Sequence, residues 1–337
     1  MHFRVQTDDM NHGMGMVSRA LSARPIKQVF EGVFIETTDE GLLLTCTDGE
    51  ITIRAAVPAI VEEDGSALLP ARLFGDMMRR QPAGEVDVKV DDRGRAQIRS
   101  RGSNASMAGL PAEHFPDVED VVSENAVTLP ANRMKDAVGK VMFAVSSDES
   151  RKILTGCLLE IGGGDVTMVA LDGYRLALRR AKCADVLEKF SAIIPGRAVG
   201  DIGKLLSDNE EAFAQLSFEG NKLHIRLEET EIFVILVDGE YVQYRQILPK
   251  SFATRVEVAL EPFRRCVDRA SLIAREGNNN LLMLRISGGE MVIEAHSQIG
   301  DVHEELPIEQ QGADLNIAFN VKYLIDVVRY IDADQIE

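Results

Sequence analysis

The sequence repeats itself with a period of about 125 residues. The segment LLPARLFGD at 68–76 has counterparts in IIPGRAVGD at 193–201 and AFNVKYLID at 318–326. In each copy a basic residue (Arg72, Arg197 or Lys322) precedes an aspartate by four positions. A period of this length in a chain of 337 residues predicts three structural units of one fold.

A second motif repeats in nearly the same register. Asp48-Gly49 and Asp172-Gly173 each lie between two apolar runs, 124 residues apart. An Asp-Gly pair in this setting predicts a tight corner between two strands. In the third unit EAHSQ at 294–298 takes this place, so the corner is degenerate there.

Apolar periodicity predicts two helices and about eight strands in each unit. The predicted helices are 8–22, 71–80, 130–145, 196–206, 260–275 and 320–331. The predicted strands are 2–6, 33–37, 42–47, 51–57, 85–90, 96–101, 107–110, 154–161, 165–170, 175–180, 214–218, 222–227, 231–237, 281–286, 290–295 and 301–307. Helices with one apolar stripe must cover one face of the strands, which indicates an α+β fold.

The predicted domains are 1–121, 126–249 and 252–337, and the acidic stretch 118–125 is predicted to be a linker.

Two loops are predicted within the second domain. The segment 146–152 is predicted to be a polar loop. Three consecutive glycines at 162–164 are interpreted as a hairpin turn. They lack the Lys-Ser/Thr of a phosphate loop, and a strand follows them instead of a helix.

Composition excludes several classes of protein. No run of about 18 apolar residues occurs, so no membrane span is expected, and the amino terminus is interpreted as a strand and not a signal peptide. The four cysteines form no CxxC pair, which favours buried free thiols in a reducing cytosol. The six histidines are dispersed and no nucleophile lies beside them. We therefore expect no enzyme activity, no metal and no cofactor.

The predicted helices are positive although the chain is acidic. Their segments 8–24, 72–80, 131–140, 196–204, 262–275 and 320–329 together carry a formal charge of +9, whereas the chain as a whole carries −17. Lys and Arg favour helices in general, which is one explanation. The other is that the helices share a face that meets an anion while an acidic exterior surrounds them.

Several motifs together resemble the bacterial DNA sliding clamp, the beta subunit of DNA polymerase III. They are SDESR at 147–151, LTG at 154–156, LDGYRLA at 171–177, GEY at 239–241, YR at 244–245 and LP at 248–249. The resemblance covers the whole chain. It implies three alike DNA-clamp domains and a head-to-tail homodimer that closes a ring around duplex DNA, with helices on the inner face and antiparallel sheets on the outer face. It also implies that about 30 C-terminal residues of the family, the counterpart of 88–117, are lacking.

Such a ring would hold DNA topologically and without reading its sequence, since diffuse cations attract phosphates without binding them tightly. The candidate DNA-facing residues are Arg24, Arg72, Arg79, Arg80, Arg133, Lys135, Lys140, Arg151, Lys152, Arg197, Lys204 and Lys322. Each could also be an ordinary solvated cation.

The resemblance further implies a groove that accepts short Gln- and Leu-containing peptides. The peptides belong to DNA polymerase III and other polymerases, the clamp loader, and mismatch-repair and ligase-type factors. The groove residues carried over are Leu154, Leu171, Gly173, Tyr174, Arg175, Leu176, Val242, Gln246 and Ile247. Val242 stands where the family usually has proline, and Gln246 where a basic residue is frequent. Leu154 and Leu176 would fit a domain core equally well.

The same resemblance places a dimer interface between Ala105 and Met107 of one chain and Leu272 and Ile273 of the other. The alternative function is a clamp-like paralogue or scaffold that binds proteins without efficiently encircling DNA. A stable dimer would favour the ring, and a monomer would favour the scaffold.

Overall fold

The computed structural model describes residues 1–118, 126–183, 189–277 and 280–337. They form two compact units. The first comprises Met1–Ala170 and Leu178–Gly239, and the second comprises Leu171–Ala177 and Glu240–Glu337. The predicted domain end at 121 and nearly all of the predicted linker 118–125 lie outside the described residues.

The described elements follow the predicted order. The first repeat contains β1 (His2–Gln6), α1 (Thr7–Val17), β2 (Gly32–Thr38), β3 (Gly41–Thr47), β4 (Ile51–Pro58), β5 (Ile60–Glu63), β6 (Ser66–Pro70), α2 (Ala71–Arg79), β7 (Glu85–Val90), β8 (Arg95–Ser100) and β9 (Ser103–Ala108). The second contains β10 (Val127–Pro130), α3 (Ala131–Val141), β11 (Gly156–Gly162), β12 (Asp165–Leu171), β13 (Leu176–Lys182), β14 (Phe190–Pro195), α4 (Gly196–Leu205), β15 (Phe213–Glu219), β16 (Lys222–Arg226) and β17 (Thr230–Ile235).

The third repeat has the same plan. After the short helix α5 (Tyr244–Ile247) come β18 (Thr254–Ala259), α6 (Leu260–Glu276), β19 (Leu281–Ser287), β20 (Glu290–Ser297), β21 (Gly300–Pro307), β22 (Glu309–Gly312), β23 (Leu315–Asn320), α7 (Val321–Tyr330) and β24 (Gln335–Ile336). Single turns of 3₁₀ helix occupy Ser18–Ala20, Gln28–Glu31 and Met142–Ala144, and a longer 3₁₀ segment occupies Glu149–Thr155. All six predicted helices are confirmed.

Some sequence predictions were wrong in detail. The strands β6, β10, β14, β18 and β23 were missed, and each of them runs directly into a helix. The short strands β5, β22 and β24, of two to four residues, were missed as well. The predicted polar loop 146–152 is partly helical, since Glu149–Thr155 forms 3₁₀ turns. The strand predicted from 154 therefore begins at Gly156, which leaves Leu154 in the 3₁₀ segment. The hairpin turn at 162–164 is confirmed between antiparallel β11 and β12.

Helix pairs pack together and against sheets in every repeat. The pairs are α1 with α2, α3 with α4, and α6 with α7. In α1 the apolar stripe Met10, Met14 and Val17 is fully buried, as its spacing predicts. In the second unit Phe263 and Val267 of α6 share one core with Ile293 of β20 and other apolar residues. Burial of these stripes fixes each helix pair on its sheet.

One sheet joins the first two repeats. Its strand order is β10-β15-β16-β17-β4-β3-β2-β6, and its seam is the antiparallel pair β17–β4. Ile232 lies opposite Ile53 at this seam, and both side chains are buried. The first repeat also contains the sheet β5-β1-β7-β8-β9, and the second contains β13-β12-β11-β14. The second unit has the sheets β22-β18-β24 and β21-β20-β19-β23. The seam explains why two repeats form one compact unit.

A charged cluster lies beside this seam on β16 and β17. The ring of His224 stacks on Phe233 with centroids 4.5 Å apart, and its Nε2 lies 3.6 Å from Glu231 Oε1. Arg226 Nη2 donates to the same carboxylate at 2.7 Å. The interaction with the His224 imidazole and then that with Arg226 lower the pKa of Glu231 to about 2.

We expect Glu231→Gln to reduce the acid sensitivity of folding. A carboxylate with a depressed pKa stabilises the fold fully above its ordinary pKa of about 4.5, and this contribution is lost as the pH falls toward about 2. The wild-type free energy of unfolding should therefore fall more steeply between pH 5 and pH 3 than that of the variant. Urea unfolding at several pH values measures this, with the exposed Glu219→Gln on β15 as the control. Parallel curves for wild type and Glu231→Gln would contradict the assignment.

Three of the four cysteines are buried. Cys46, Cys157 and Cys266 are buried free thiols, as predicted, whereas Cys183 is only partly buried. Burial raises the pKa of the Cys157 thiol to about 12.

In the described ranges, no helix has the length and apolar character needed to cross a membrane. The same ranges hold no cluster of three His, Cys, Asp or Glu side chains arranged to bind a metal.

Candidate functional site

The Asp172-Gly173 corner is built by its own aspartate. Asp172 Oδ1 accepts hydrogen bonds from the backbone N–H of Tyr174 at 2.9 Å and of Arg175 at 3.1 Å. Gly173 has a φ of +96°, in the left-handed region that glycine adopts more readily than residues with a side chain. The corner joins neighbouring strands β12 and β13, as predicted.

The first repeat contains the same corner. Asp48 Oδ1 accepts from the backbone N–H of Glu50 and of Ile51, both at 2.9 Å, and Gly49 has a φ of +95°. Two corners that share one hydrogen-bond pattern confirm in atomic detail the repeat seen in the sequence.

Arg175 fixes the second corner to α7 within the C-terminal unit. Its Nε donates to Asp172 Oδ2 at 3.0 Å, and one terminal nitrogen donates to Asp326 Oδ2 at 2.6 Å. Its guanidinium carbon lies 4.6 Å from the ring centre of Tyr323, a cation–π contact. All three side chains in these ion pairs are largely buried, so the arginine is held in one position.

An aromatic surface lies beside this arginine. Tyr174 is 81% exposed, and its ring stacks on that of Tyr323 with centroids 6.2 Å apart. Sequence reasoning missed Tyr323 and Asp326 as site residues. The repeat had already aligned 318–326 with the helices that follow the corners, and this was the signal that could have found them.

Eight of the nine groove candidates belong to the C-terminal unit. Ile247 is 57% exposed, and Val242, Gln246 and Gly173 are also exposed, whereas Leu171 is buried and Leu176 is partly buried. The unit thus presents exposed apolar side chains as well as a fixed arginine and an exposed tyrosine. Leu154, the ninth candidate, belongs to the N-terminal unit, where it is buried in the 3₁₀ segment.

The candidate DNA-facing cations fall into three groups according to their interaction partners. Six form ion pairs with carboxylates: Arg79 with Asp76, Lys135 with Asp208, Lys140 with Asp136, Arg151 with Asp148, Arg197 with Asp48, and Lys204 with Asp201. Three donate to backbone carbonyls: Arg72 to Ser22, Arg80 to Asp76 and Arg133 to Lys182. Arg24, Lys152 and Lys322 are exposed and have no carboxylate partner among the described residues.

The candidate dimer residues lie on two different elements. Ala105 and Met107 are on β9, the last strand of its sheet, and Met107 is buried against its own domain. Leu272 is on α6 and is 66% exposed, beside the partly buried Ile273. Their contact across two chains stays a prediction.

Comparisons with known proteins cover nearly the whole chain. Sequence models of the DNA polymerase III beta subunit match it in three parts: the N-terminal domain at 1–119, the central domain at 128–243 and the C-terminal domain at 245–337. The beta sliding clamps of Staphylococcus aureus (strain Mu50) and Staphylococcus epidermidis are each 30% identical over 349 residues, which cover 100% of this chain and 92% of those proteins.

Solved structures agree with the sequence matches. The DNA polymerase sliding clamp from Bacillus subtilis superposes with a TM-score of 0.95 and 28% identity, covering 99% of this chain and 91% of that one. A sliding clamp from Pseudomonas aeruginosa with ligand gives a TM-score of 0.91 and 25% identity, with the same coverage. The predicted three-domain fold of helices and antiparallel sheets is therefore confirmed.

Proposed function

Since the chain belongs to the family of the DNA polymerase III beta subunit, the bacterial sliding clamp, we propose that it is a processivity factor that encircles duplex DNA. The observation that carries the proposal is the 30% identity to beta sliding clamps over the whole chain. The proposal includes a ring with helices inside and sheets outside, and a cytoplasmic location where bacterial DNA is replicated.

The ion pairs of the helices suit a protein that slides. Half of the candidate cations share their charge with a neighbouring carboxylate, so none of these offers a full unpaired charge to one phosphate. Exposed ion pairs of this kind are weak and screened by salt. Weak, distributed attraction would keep DNA near the helices without fixing its register, and retention would come from the closed ring.

The seam inside the chain supports a head-to-tail dimer. It pairs β4, the strand after the first corner, with β17, the last strand of the second repeat. In the repeat, the equivalent of β4 in the third unit is β21, and the equivalent of β17 in the first unit is β9. Each of these lies at the edge of its sheet in the described structure. Repeating the seam between copies would pair β21 of one chain with β9 of another, and two such seams close a dimer.

Charge supports the same pairing. The strand next to β9 carries Arg95 and Arg99, whereas β21 carries Asp301, Glu304 and Glu305. Opposite charges at or beside the two edges steer association and disfavour the pairing of either edge with itself.

We expect Leu272→Ala combined with Ile273→Ala to weaken the dimer strongly. Burying one leucine side chain contributes roughly 1.5–3 kcal/mol, and each dimer would contain two altered contacts. The dissociation constant should therefore rise by at least about 100-fold, since 1.4 kcal/mol corresponds to tenfold. Sedimentation equilibrium measures this, with Leu281→Ala, another exposed leucine of the same repeat, as the control. An unchanged dimer would place the interface elsewhere.

The exposed apolar side chains of the C-terminal unit support peptide binding. Ile247 and Val242 could receive leucine or phenylalanine anchors, and Arg175 and Tyr174 supply a polar rim. We propose that DNA polymerase III and other polymerases, the clamp loader, and mismatch-repair and ligase-type factors bind there.

The test of the whole proposed function is the retention of the protein on circular DNA compared with linear DNA. A protein that binds these peptides but is not retained on circles would be the scaffold instead.

A further inference from the structure

The first corner is fixed to the repeat that follows it in the same way as the second corner. Asp48 of the first corner forms an ion pair with Arg197 of α4. Arg175 of the second corner forms one with Asp326 of α7. In both cases a corner contacts the second helix of the next repeat, so the surroundings of the two corners can be compared through the repeat.

A cleft of about 450 Å³ lies beside the first corner. Its lining residues come from the corner, the 3₁₀ segment and the second repeat: Glu50, Glu149, Lys152, Thr155, Pro195, Ile235, Leu236 and Val237. The backbone there is held in place, because Ile235 donates its N–H to the carbonyl oxygen of Glu50 at 2.9 Å and Val237 donates to that of Ile193 at 2.8 Å. The cleft is therefore preformed, and its volume lies in the range of roughly 300–1,000 Å³ that is usual for ligand sites.

The repeat aligns this region with the second corner, which contributes to the proposed peptide groove. Glu50 occupies the position of Tyr174, and Ala198 on α4 occupies that of Tyr323 on α7. The stacked tyrosines of the second corner are thus replaced by a carboxylate and a buried alanine. The two corners share one backbone plan and differ in side-chain chemistry, which favours a ligand of the same kind with a different sequence.

One wall of the cleft is apolar. Ile235, the last residue of β17, is 43% exposed, and Leu236 and Val237 after it are partly buried. An aliphatic side chain that packs against this wall would remove apolar surface from water, which favours binding. The wall therefore suits a leucine, isoleucine or valine of a ligand.

Two exposed carboxylates set the charge that suits the cleft. Glu50 and Glu149 are exposed, and within the described ranges neither carboxylate has a hydrogen bond or an ion pair. Lys152 is the basic residue of the lining, so two acids and one base leave a net negative charge. This charge repels the phosphates of a nucleic acid and attracts a lysine or arginine side chain.

We propose that this cleft is a second peptide-binding site, which takes a short segment of a partner protein that has an aliphatic side chain next to a lysine or arginine. The site is separate from the proposed groove of the C-terminal unit, because all its lining residues belong to the N-terminal unit. The comparison with the groove rests on the proposed function, whereas the volume, the apolar wall and the charge of the cleft do not.

A random nonapeptide library displayed on phage tests the class of ligand. Selection on the wild-type protein, with an excess of the Gln- and Leu-containing peptide to occupy the groove, should enrich sequences in which Leu, Ile or Val adjoins Lys or Arg. A fluorescent enriched peptide should bind Ile235→Ala about tenfold more weakly. It should bind the double variant Glu50→Gln, Glu149→Gln up to about fivefold more weakly, and this difference should shrink at high salt. Ile60→Ala and Glu219→Gln, exposed residues of the same unit outside the cleft, are the matched controls.

Nuclear magnetic resonance locates the bound peptide. In protein with isotope-labelled isoleucine methyl groups, the enriched peptide should shift the signal of Ile235, assigned with Ile235→Val, and leave that of Ile247 unchanged. No enrichment, equal affinity for Ile235→Ala and Ile60→Ala, or a shift at Ile247 instead would overturn this inference. If the Gln- and Leu-containing peptide does not shift Ile247, the proposed groove fails, and a shift at Ile235 with the enriched peptide would still support this cleft.

Discussion

Protein loaded onto nicked circular duplex DNA by a clamp loader is expected to stay bound during gel filtration at about 200 mM salt, and to be released when the circle is cut once. Binding that depends on six to ten phosphate contacts loses roughly 10³- to 10⁵-fold in affinity between 50 and 200 mM salt. Electrostatic attraction alone would therefore not retain the protein on either form of DNA. A closed ring would leave linear DNA only at its ends, so we expect retention to differ at least tenfold between the forms.

A charge variant separates topology from attraction. The combination of Arg24→Ala, Lys152→Ala and Lys322→Ala removes the three candidate cations that have no carboxylate partner among the described residues. It should weaken binding to linear DNA at about 50 mM salt, because up to three contacts with phosphate groups are lost. Retention on closed circles at about 200 mM salt should be unchanged. Equal loss from circular and linear DNA by the wild-type protein would contradict the ring and favour the scaffold.

The parts of the fold that could be predicted from the sequence are those with local causes. The six helices follow from apolar stripes of about four residues' spacing, and the packing of Met10 and Met14 shows that the stripe faces the core. The Asp-Gly corners follow from one side chain that caps its own turn, so their geometry needs no distant residue. The repeat predicted three units of one fold, which no single segment could do, because it aligned these features across the units.

The parts that could not be predicted depend on residues far apart in the chain. The ion pair between Arg175 and Asp326 spans 151 positions, and no local pattern specifies it. The seam between β4 and β17 likewise pairs residues far apart in the chain, such as Ile53 and Ile232. Helix charge was visible in the sequence, but the carboxylates that pair with Arg79 or Lys135 depend on side-chain positions. The net positive charge of the helices is therefore visible in the sequence, but the ion pairs that form in the folded protein partly neutralise it.

A fluorescent peptide carrying a Gln- and Leu-containing clamp-binding motif is expected to bind this protein and to lose affinity on Ile247→Ala. Ile247 is more than half exposed, so truncating it removes a contact surface with little effect on the core. An apolar anchor that loses most of its contact costs about 1.5–3 kcal/mol, or roughly 10- to 150-fold in the dissociation constant. Leu176→Ala should weaken binding as well, and the loss in both variants should depend little on salt because the contact is apolar.

The matched control is Phe252→Ala, which removes an exposed aromatic side chain from the same unit and lies outside the predicted groove. Fluorescence anisotropy gives the affinities, and unfolding curves show whether Leu176→Ala, whose side chain is partly buried, stays folded. A further variant, Arg175→Lys, tests the contribution of the guanidinium group. Lysine keeps the positive charge but cannot reproduce the guanidinium contacts to Asp172, Asp326 and the Tyr323 ring. If Ile247→Ala and Leu176→Ala both bind the peptide as tightly as Phe252→Ala does, the site is not formed by these residues.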